Sequence, residues 1–359
     1  MINNNKFKYF LPTKIHFEKG GLKFLSTYVK ERKALLLTSK GFIDRGLIDK
    51  IKSDCNFVEI FHKIPTHPDF NDIEPLYNIT RKLKPQVIVA LGGGSVMDVA
   101  KFVSVSGTED TSFEYVSFIT RKKIKNPKYK TIPIISIPTT SGTSSEITPW
   151  ATIWDNLEKK KYSLHLAELF SETAIYDPEL TLTLPKKITI QTGLDVLSHS
   201  LESIWNKNAS SITIAHAVTA SKIVINNLFE LSMNLENIEL RQEMMRASIH
   251  AGLSFSNTQT AIAHAMSYYI TNYHGVPHGI ACSFTLPMII DQIIGKYKYI
   301  DCALEEIFGE LSSKPIRNLF RSLEISTNMI DYGIDDDEFK KLVSSINNEQ
   351  RTSNSLVKI

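Results

Sequence analysis

Over the first 180 residues, short β-branched apolar runs alternate with amphipathic stretches. Ala34–Thr38, Val58–Phe61, Val87–Ala90 and Ile132–Ile137 read as buried strands, and residues 46–54 and 72–84 carry apolar positions at helical spacing. Strands alternating with helices predict an α/β domain built on a parallel sheet covered on both faces. The pattern changes after Ala174–Leu180. From Pro185 onward apolar residues recur at helical spacing over 188–206, 212–231, 238–254 and 259–269, with further segments to about 345, and strand-like runs stop. The expected division is therefore an α/β domain over 1–180 and an all-helical domain over 181–359. A chain of 359 residues is in any case too long for one ordinary core.

Composition narrows the class without naming it. Hydrophobic residues at 42% and charged residues at 22% fit an ordinary soluble globular protein. A net charge of +3 gives no reason to expect nucleic acid, and the basic run 121–130 reads as a solvated loop. Three cysteines at unrelated spacings form neither a disulfide framework nor a zinc ribbon, which suits reduced thiols in a cytoplasm. The opening Met1–Lys6 has no signal-peptide character, and no apolar run reaches eighteen residues, so neither export nor a membrane partner is expected.

Two constellations carry chemistry. The strand ending at Leu91 runs into Gly92-Gly93-Gly94-Ser95, followed by a helical stretch through Val103. Strand, glycine turn and helix offer backbone N–H groups and a positive helix end to a diphosphate. A second polar loop, residues 138–148, follows the strand ending at Ile137 and so falls at the same carboxyl edge, where open parallel sheets bind ligands. The other constellation is a metal set. Asp195 and His199, four apart, share one face of a helix, and His264 and His278 follow in neighbouring segments. One carboxylate and three imidazoles suit iron(II) or zinc better than magnesium or calcium. Pro277 reads as the first turn of a helix, which places His278 at its start.

These motifs, in this order, resemble the iron-containing (group III) alcohol dehydrogenases over nearly the whole chain. The resemblance is carried by Gly92–Ser95 with Asp98 and Lys101, by residues 138–143, by Gly193-Leu194-Asp195 through His199, and by His264 with Pro277-His278-Gly279. It implies a dehydroquinate synthase-like fold: a dinucleotide-binding domain followed by a helical metal-binding domain. It also implies hydride transfer between NAD(P)(H) and an alcohol or aldehyde at a metal held by Asp195, His199, His264 and His278. Thr139, Thr140, Thr143, Thr148 and Lys161 would line the cofactor site, and the assembly would be a homo-oligomer, a dimer by preference.

Two departures from the family stand out. Many members end the strand at Thr38 in an aspartate that repels a 2′-phosphate; this chain has Ser39, so NADP(H) should be tolerated or preferred. Many members carry a further histidine four residues beyond the third ligand; this chain has Tyr268, which would bond substrate or pack. Residues 148–155 and 264–268 are most similar to the phosphonoacetaldehyde reductase subgroup, which would make 2-hydroxyethylphosphonate. Rival readings are a general short-chain or glycerol-type dehydrogenase, a dehydroquinate-synthase-like lyase, and a non-catalytic nucleotide- or metal-binding scaffold.

Overall fold

In the computed structural model, residues 6–158, 160–346 and 350–358 are described. The opening residues 1–5, read above for a targeting signal, lie outside them, as do 347–349 and 359 of the C-terminal stretch. The chain divides into two units. One is Leu11–Thr140 with Ser144–Thr181; the other takes the residues through Phe10, Ser141–Thr143 and Leu182–Ile359. Residues 6–10 and 141–143 go with the helices.

Among the described residues the first unit holds ten strands: β1 (Lys14–Phe17), β2 (Ala34–Thr38), β3 (Phe57–Phe61), β4 (Val87–Gly92), β5 (Val105–Gly107), β6 (Tyr129–Thr131), β7 (Ile134–Pro138), β8 (Trp150–Asp155), β9 (Lys160–His165) and β10 (Thr173–Tyr176). Six of them form one parallel sheet in the order β1-β10-β7-β4-β2-β3. Every residue of β2, β4 and β7 is buried, which is why these strands read as unbroken apolar runs. β3 and β4 lie on opposite sides of β2, so the direction of winding reverses between β2 and β4. A ligand crevice belongs at the carboxyl ends of the strands there. Ser39 follows β2 and the glycine run follows β4 at that reversal.

The pattern missed β1, β10, the β8–β9 hairpin and the short β5–β6 pair. β1 is a half-exposed edge strand, and β9, Lys-Lys-Tyr-Ser-Leu-His, buries only Leu164 fully, so neither shows a continuous apolar run. Arg121 also corrects the reading of 121–130 as solvated. Its guanidinium lies 3.7 Å from the Phe70 ring centroid and pairs with Asp155 at 2.8 Å.

The polar loop after β7 is held from beneath. Lys101, on the helix Gly94–Ser104, is fully buried and donates to the carbonyls of Ser145, Thr148 (2.8 Å) and Trp150 (2.8 Å) and to the Ser145 hydroxyl (2.9 Å). Burial pushes its ammonium down to about 8. Glu146, buried in the same loop, is pushed by burial up to about 7.

The second unit packs long helices around a separate core. Its first four are Lys186–Ile204, Ser211–Met233, Ile238–Thr258 and Ile262–His274. Ser211–Met233 is long and apolar enough by length and composition to cross a membrane. Its Ala217, Val224, Leu228 and Leu231 are instead buried in the helical core, which accounts for its apolarity. Arg241 is buried against the Leu184 and Leu235 carbonyls and the Thr189 hydroxyl, fixing the start of the first helix. The C-terminal segment docks at that helix's far end, where Leu356 N donates to Trp205 O and Lys207 N to Asn354 O.

Glu146 yields a stability prediction whose sign follows from its raised pKa. Its carboxyl moves from 4.5 to about 7 on folding, so burial costs nothing where both states are protonated and costs most above pH 7. Glu146→Gln should therefore gain on wild type as pH rises, the advantage growing by roughly 2 kcal/mol between pH 5 and pH 8. Thermal melts at the two pH values measure this; a constant difference contradicts it.

Candidate metal centre and cofactor loop

Asp195, His199 and Glu202 fall at spacings of four and three along the helix Lys186–Ile204, so one face carries all three. The helix Ile262–His274 brings His264 to that face, and the short helix His278–Ala281 brings His278. Pro277 is the N-cap of that short helix, one position earlier than the first turn expected. The close fit of the short helix is set by Gly279, where a Cβ would meet the Gln191 carbonyl oxygen at 1.9 Å.

One group of donor atoms, all within 4.8 Å of one another, joins Asp195, His264, His278 and Cys282. His264 Nε2 and His278 Nε2 lie 3.4 and 3.9 Å from Asp195 Oδ1. His199 stands beside this group, with Nδ1 3.7 Å from the same oxygen. Its ring stacks on Phe255 (3.9 Å between centroids, 6°) and on His264 (4.4 Å, 21°). Burial pushes the Asp195 carboxyl up, but the His199, His278 and His264 imidazoles outweigh it and hold the group well below the usual carboxylate range.

Glu202 sets the chemistry of His264. Fully buried, it accepts from His264 Nδ1 at 2.5 Å and from the backbone N–H groups of Ala261, Ala263 and His264 at 3.1, 2.5 and 3.3 Å. With the Nδ1 proton held there, Nε2 keeps its lone pair, and this buried atom makes no hydrogen bond. A buried nitrogen without a hydrogen-bond partner, facing an ionised carboxylate, is a cation's place. A carboxylate, imidazoles and a thiol suit iron(II) or zinc rather than magnesium or calcium, so the residues fit a divalent first-row metal.

Cys282 carried no signal of this in the sequence, where it read as one of three unrelated thiols. It is buried, with Sγ 3.5 Å from both Asp195 Oδ1 and the Gly279 carbonyl. Burial and the neighbouring Asp195 push the thiol well above its usual range. Tyr268 presents its ring parallel to that of His278, with centroids 6.4 Å apart.

On the sheet, Gly92 pairs with Pro138, and Thr139 N donates to Gly92 O at 3.0 Å, so the two polar loops lie side by side. A Cβ on Gly92 would sit 2.5 Å from Val96 Cγ2, so glycine here lets the strand turn into the helix Gly94–Ser104. Gly93 caps that helix, and Gly93, Gly94 and Ser95 are half-exposed at its start, Ser95 donating to the Thr66 carbonyl. Thr140 packs closely against Gly93.

Other expected cofactor residues serve as braces. Asp98 accepts from Ser145 Oγ at 2.7 Å and Thr152 N at 3.0 Å, and Thr148 is fully buried against Lys101. Thr143 belongs with the helical unit, where Gly142 packs closely on Thr192. Lys161 lies on β9 with its ammonium 5.5 Å from the Trp154 ring centroid. Ser39 is half-buried at the N-cap of the helix Lys40–Asp44.

Comparison with known proteins places these features in a family. Residues 12–178 match the model of the iron-containing alcohol dehydrogenases, and residues 189–357 match the family's C-terminal model. The chain is 30% identical to an aldehyde-alcohol dehydrogenase of Streptococcus pneumoniae over 92% of its length, while spanning only 41% of that relative. It is 29% identical to an NADPH-dependent butanol dehydrogenase of Clostridium saccharobutylicum, covering 94% of this chain and 90% of that one. The structure of sulfoacetaldehyde reductase from Bifidobacterium kashiwanohense in complex with NAD+ superposes with a TM-score of 0.91 at 29% identity, covering 99% of this chain and 95% of that one.

The Glu202 geometry is testable by metal binding. Glu202→Gln should bind zinc or cobalt(II) about 10- to 100-fold more weakly, because the His264 imidazole loses the carboxylate that fixes its tautomer. Calorimetric titration of the apoprotein gives the constants, and an affinity matching wild type contradicts the role.

Proposed function

Because the chain belongs to the iron-containing alcohol dehydrogenase family, we propose that it interconverts a short aldehyde and its alcohol using NAD(P)(H) and a divalent metal, iron(II) first and zinc second. The observation that carries this reading is the donor group of Asp195, His264 and His278 around the buried, unbonded His264 Nε2. Asp195, His199, His264 and His278 would hold the metal. The bound metal supplies Lewis acidity toward a carbonyl oxygen, and the nicotinamide supplies or accepts the hydride.

The residues of the chain supply the rest. Asp195, kept ionised, lowers the positive charge of the centre. Glu202 engages His264 Nδ1, which leaves Nε2 as the nitrogen that would face the metal. Phe255 fixes the plane of His199 by stacking. On the sheet, the helix start at Gly93–Ser95 offers N–H groups to the diphosphate, with Thr139 and Thr140 alongside. Asp98 and Lys101 hold the second loop rigid beneath them, which is the orienting contribution that proximity catalysis needs.

The substrate reading is an aldehyde with an acidic tail, phosphonoacetaldehyde first. Two things support it: the subgroup likeness of residues 148–155 and 264–268, and the close fold match to a sulfoacetaldehyde reductase. The likeness to a butanol dehydrogenase keeps a neutral short-chain aldehyde as the second reading. NADP(H) is the favoured cofactor, since Ser39 puts no carboxylate against a 2′-phosphate. A cytoplasmic homodimer completes the proposal.

An anaerobic assay of the iron-loaded protein with phosphonoacetaldehyde, sulfoacetaldehyde and C2–C4 aldehydes decides the substrate class. Fastest oxidation of NADPH is expected with an acid-tailed aldehyde; rapid turnover of butanal with no response to either acid-tailed one would leave a neutral alcohol dehydrogenase. For the cofactor, Ser39→Asp should lower the NADPH-over-NADH ratio of kcat/KM by at least about tenfold, as a like charge is placed against the phosphate. An unchanged ratio would remove Ser39 from cofactor choice.

A further inference from the structure

Beside the metal centre, within the helical unit, lies a cation that nothing above has used. Arg351 sits on the five-residue helix Gln350–Asn354 and is half-buried. Its Nε donates to Thr260 Oγ1 at 3.0 Å, and its guanidinium carbon is 4.8 Å from the centroid of the Tyr268 ring. That same ring runs parallel to His278, whose Nε2 is 3.9 Å from Asp195. One aromatic ring therefore links a fixed guanidinium to a residue of the metal group.

The segment carrying Arg351 is firmly placed. Asn354 Nδ2 donates to the Thr260 carbonyl at 3.1 Å, and Thr352 Oγ1 to the Ile346 carbonyl at 2.7 Å. Among the described residues, the arginines paired with carboxylates are Arg32, Arg121, Arg246 and Arg317; Arg351 has no such partner. With Nε committed, the two terminal nitrogens still offer four N–H donors in a planar fork, the geometry that grips tetrahedral oxyanions. Its place over the Tyr268 ring holds the guanidinium without neutralising it.

We propose that Arg351 is the specificity-determining residue for the acidic tail of the substrate, taking a phosphonate or sulfonate group while the aldehyde end faces the metal group. This rests on the acid-tailed reading of the substrate given above. Tyr268, at the place where many relatives carry a histidine, is the platform that holds the guanidinium.

The test compares wild type, Arg351→Met and Arg351→Lys on phosphonoacetaldehyde, sulfoacetaldehyde and propanal, with calorimetric binding of ethylphosphonate to the metal- and NADPH-loaded protein. The loss in kcat/KM of Arg351→Met on the acid-tailed aldehydes should exceed its loss on propanal by roughly 30-fold, mostly through KM, as expected for removing a charged hydrogen-bond pair. Arg351→Lys should recover part of that ratio, and ethylphosphonate should bind wild type but not Arg351→Met. Equal losses on all three substrates make Arg351 a clamp for the C-terminal segment and overturn the proposal, while the acid-tailed function stands. If wild type turns over only propanal yet binds ethylphosphonate through Arg351, the anion site stands and the acid-tailed function falls. No binding of ethylphosphonate to wild type overturns the site.

Discussion

Glu202 has no access to solvent, and a carboxyl group there is tolerable only because its oxygens are saturated with hydrogen bonds. Three of its donors are backbone N–H groups at the start of the helix Ile262–His274, groups that otherwise have no intrahelical partner. The positive end of that helix adds to the stabilisation. The carboxylate thus caps one helix from another and, with what remains of its capacity, orients the imidazole of His264. The same stripe of the helix Lys186–Ile204 carries Asp195 and His199, so the position of the whole donor set follows from one inter-helix capping interaction. Gly279 then decides how near His278 can come, since any side chain there would collide with the backbone at Gln191.

The sheet unit solves the opposite problem. A dinucleotide needs exposed N–H groups, yet a loop rich in hydroxyls would collapse onto itself or onto water. Here the loop after β7 is tied down from below by the buried ammonium of Lys101 and by Asp98, which takes Ser145 and Thr152. Burying Lys101 is offset by five oxygen contacts rather than by one ion pair. Thr139 is itself buried beside Gly92, and Thr140 is half-exposed next to it.

How much of this could be read from the chain depended on whether the signal was periodic. β2 was legible to the residue because burial on both faces makes Ala34–Thr38 continuously apolar. The helices Lys186–Ile204 to Ile262–His274 were legible because a buried stripe repeats at helical spacing. β1 and β9 were not, because an edge strand or a half-exposed hairpin strand needs only a few apolar positions; β10 is buried throughout but only four residues long, Thr-Ala-Ile-Tyr, too short a run to stand out. The donor set divided the same way. Asp195 with His199 announces itself by spacing, whereas Cys282 reaches Asp195 across 87 positions through helix packing. Asp98, Thr148 and Lys101 were legible as a motif but not as braces, since a motif records which residues occur and not which way they face.

Charge balance ties the C-terminal segment to the centre. A divalent cation held by Asp195 and neutral imidazoles would carry about one net positive charge within its own ligand set, and Arg351 places another charge one ring away, at Tyr268. Two such cationic points would repel, and an anion between them would relieve the repulsion. The proposed acid-tailed aldehyde would do so, with its acid group at the guanidinium. A neutral aldehyde would leave the guanidinium to water. On this argument a histidine at position 268 would fit poorly: protonated, it would add a third positive charge, while tyrosine supplies a ring face that attracts the guanidinium and carries no charge of its own.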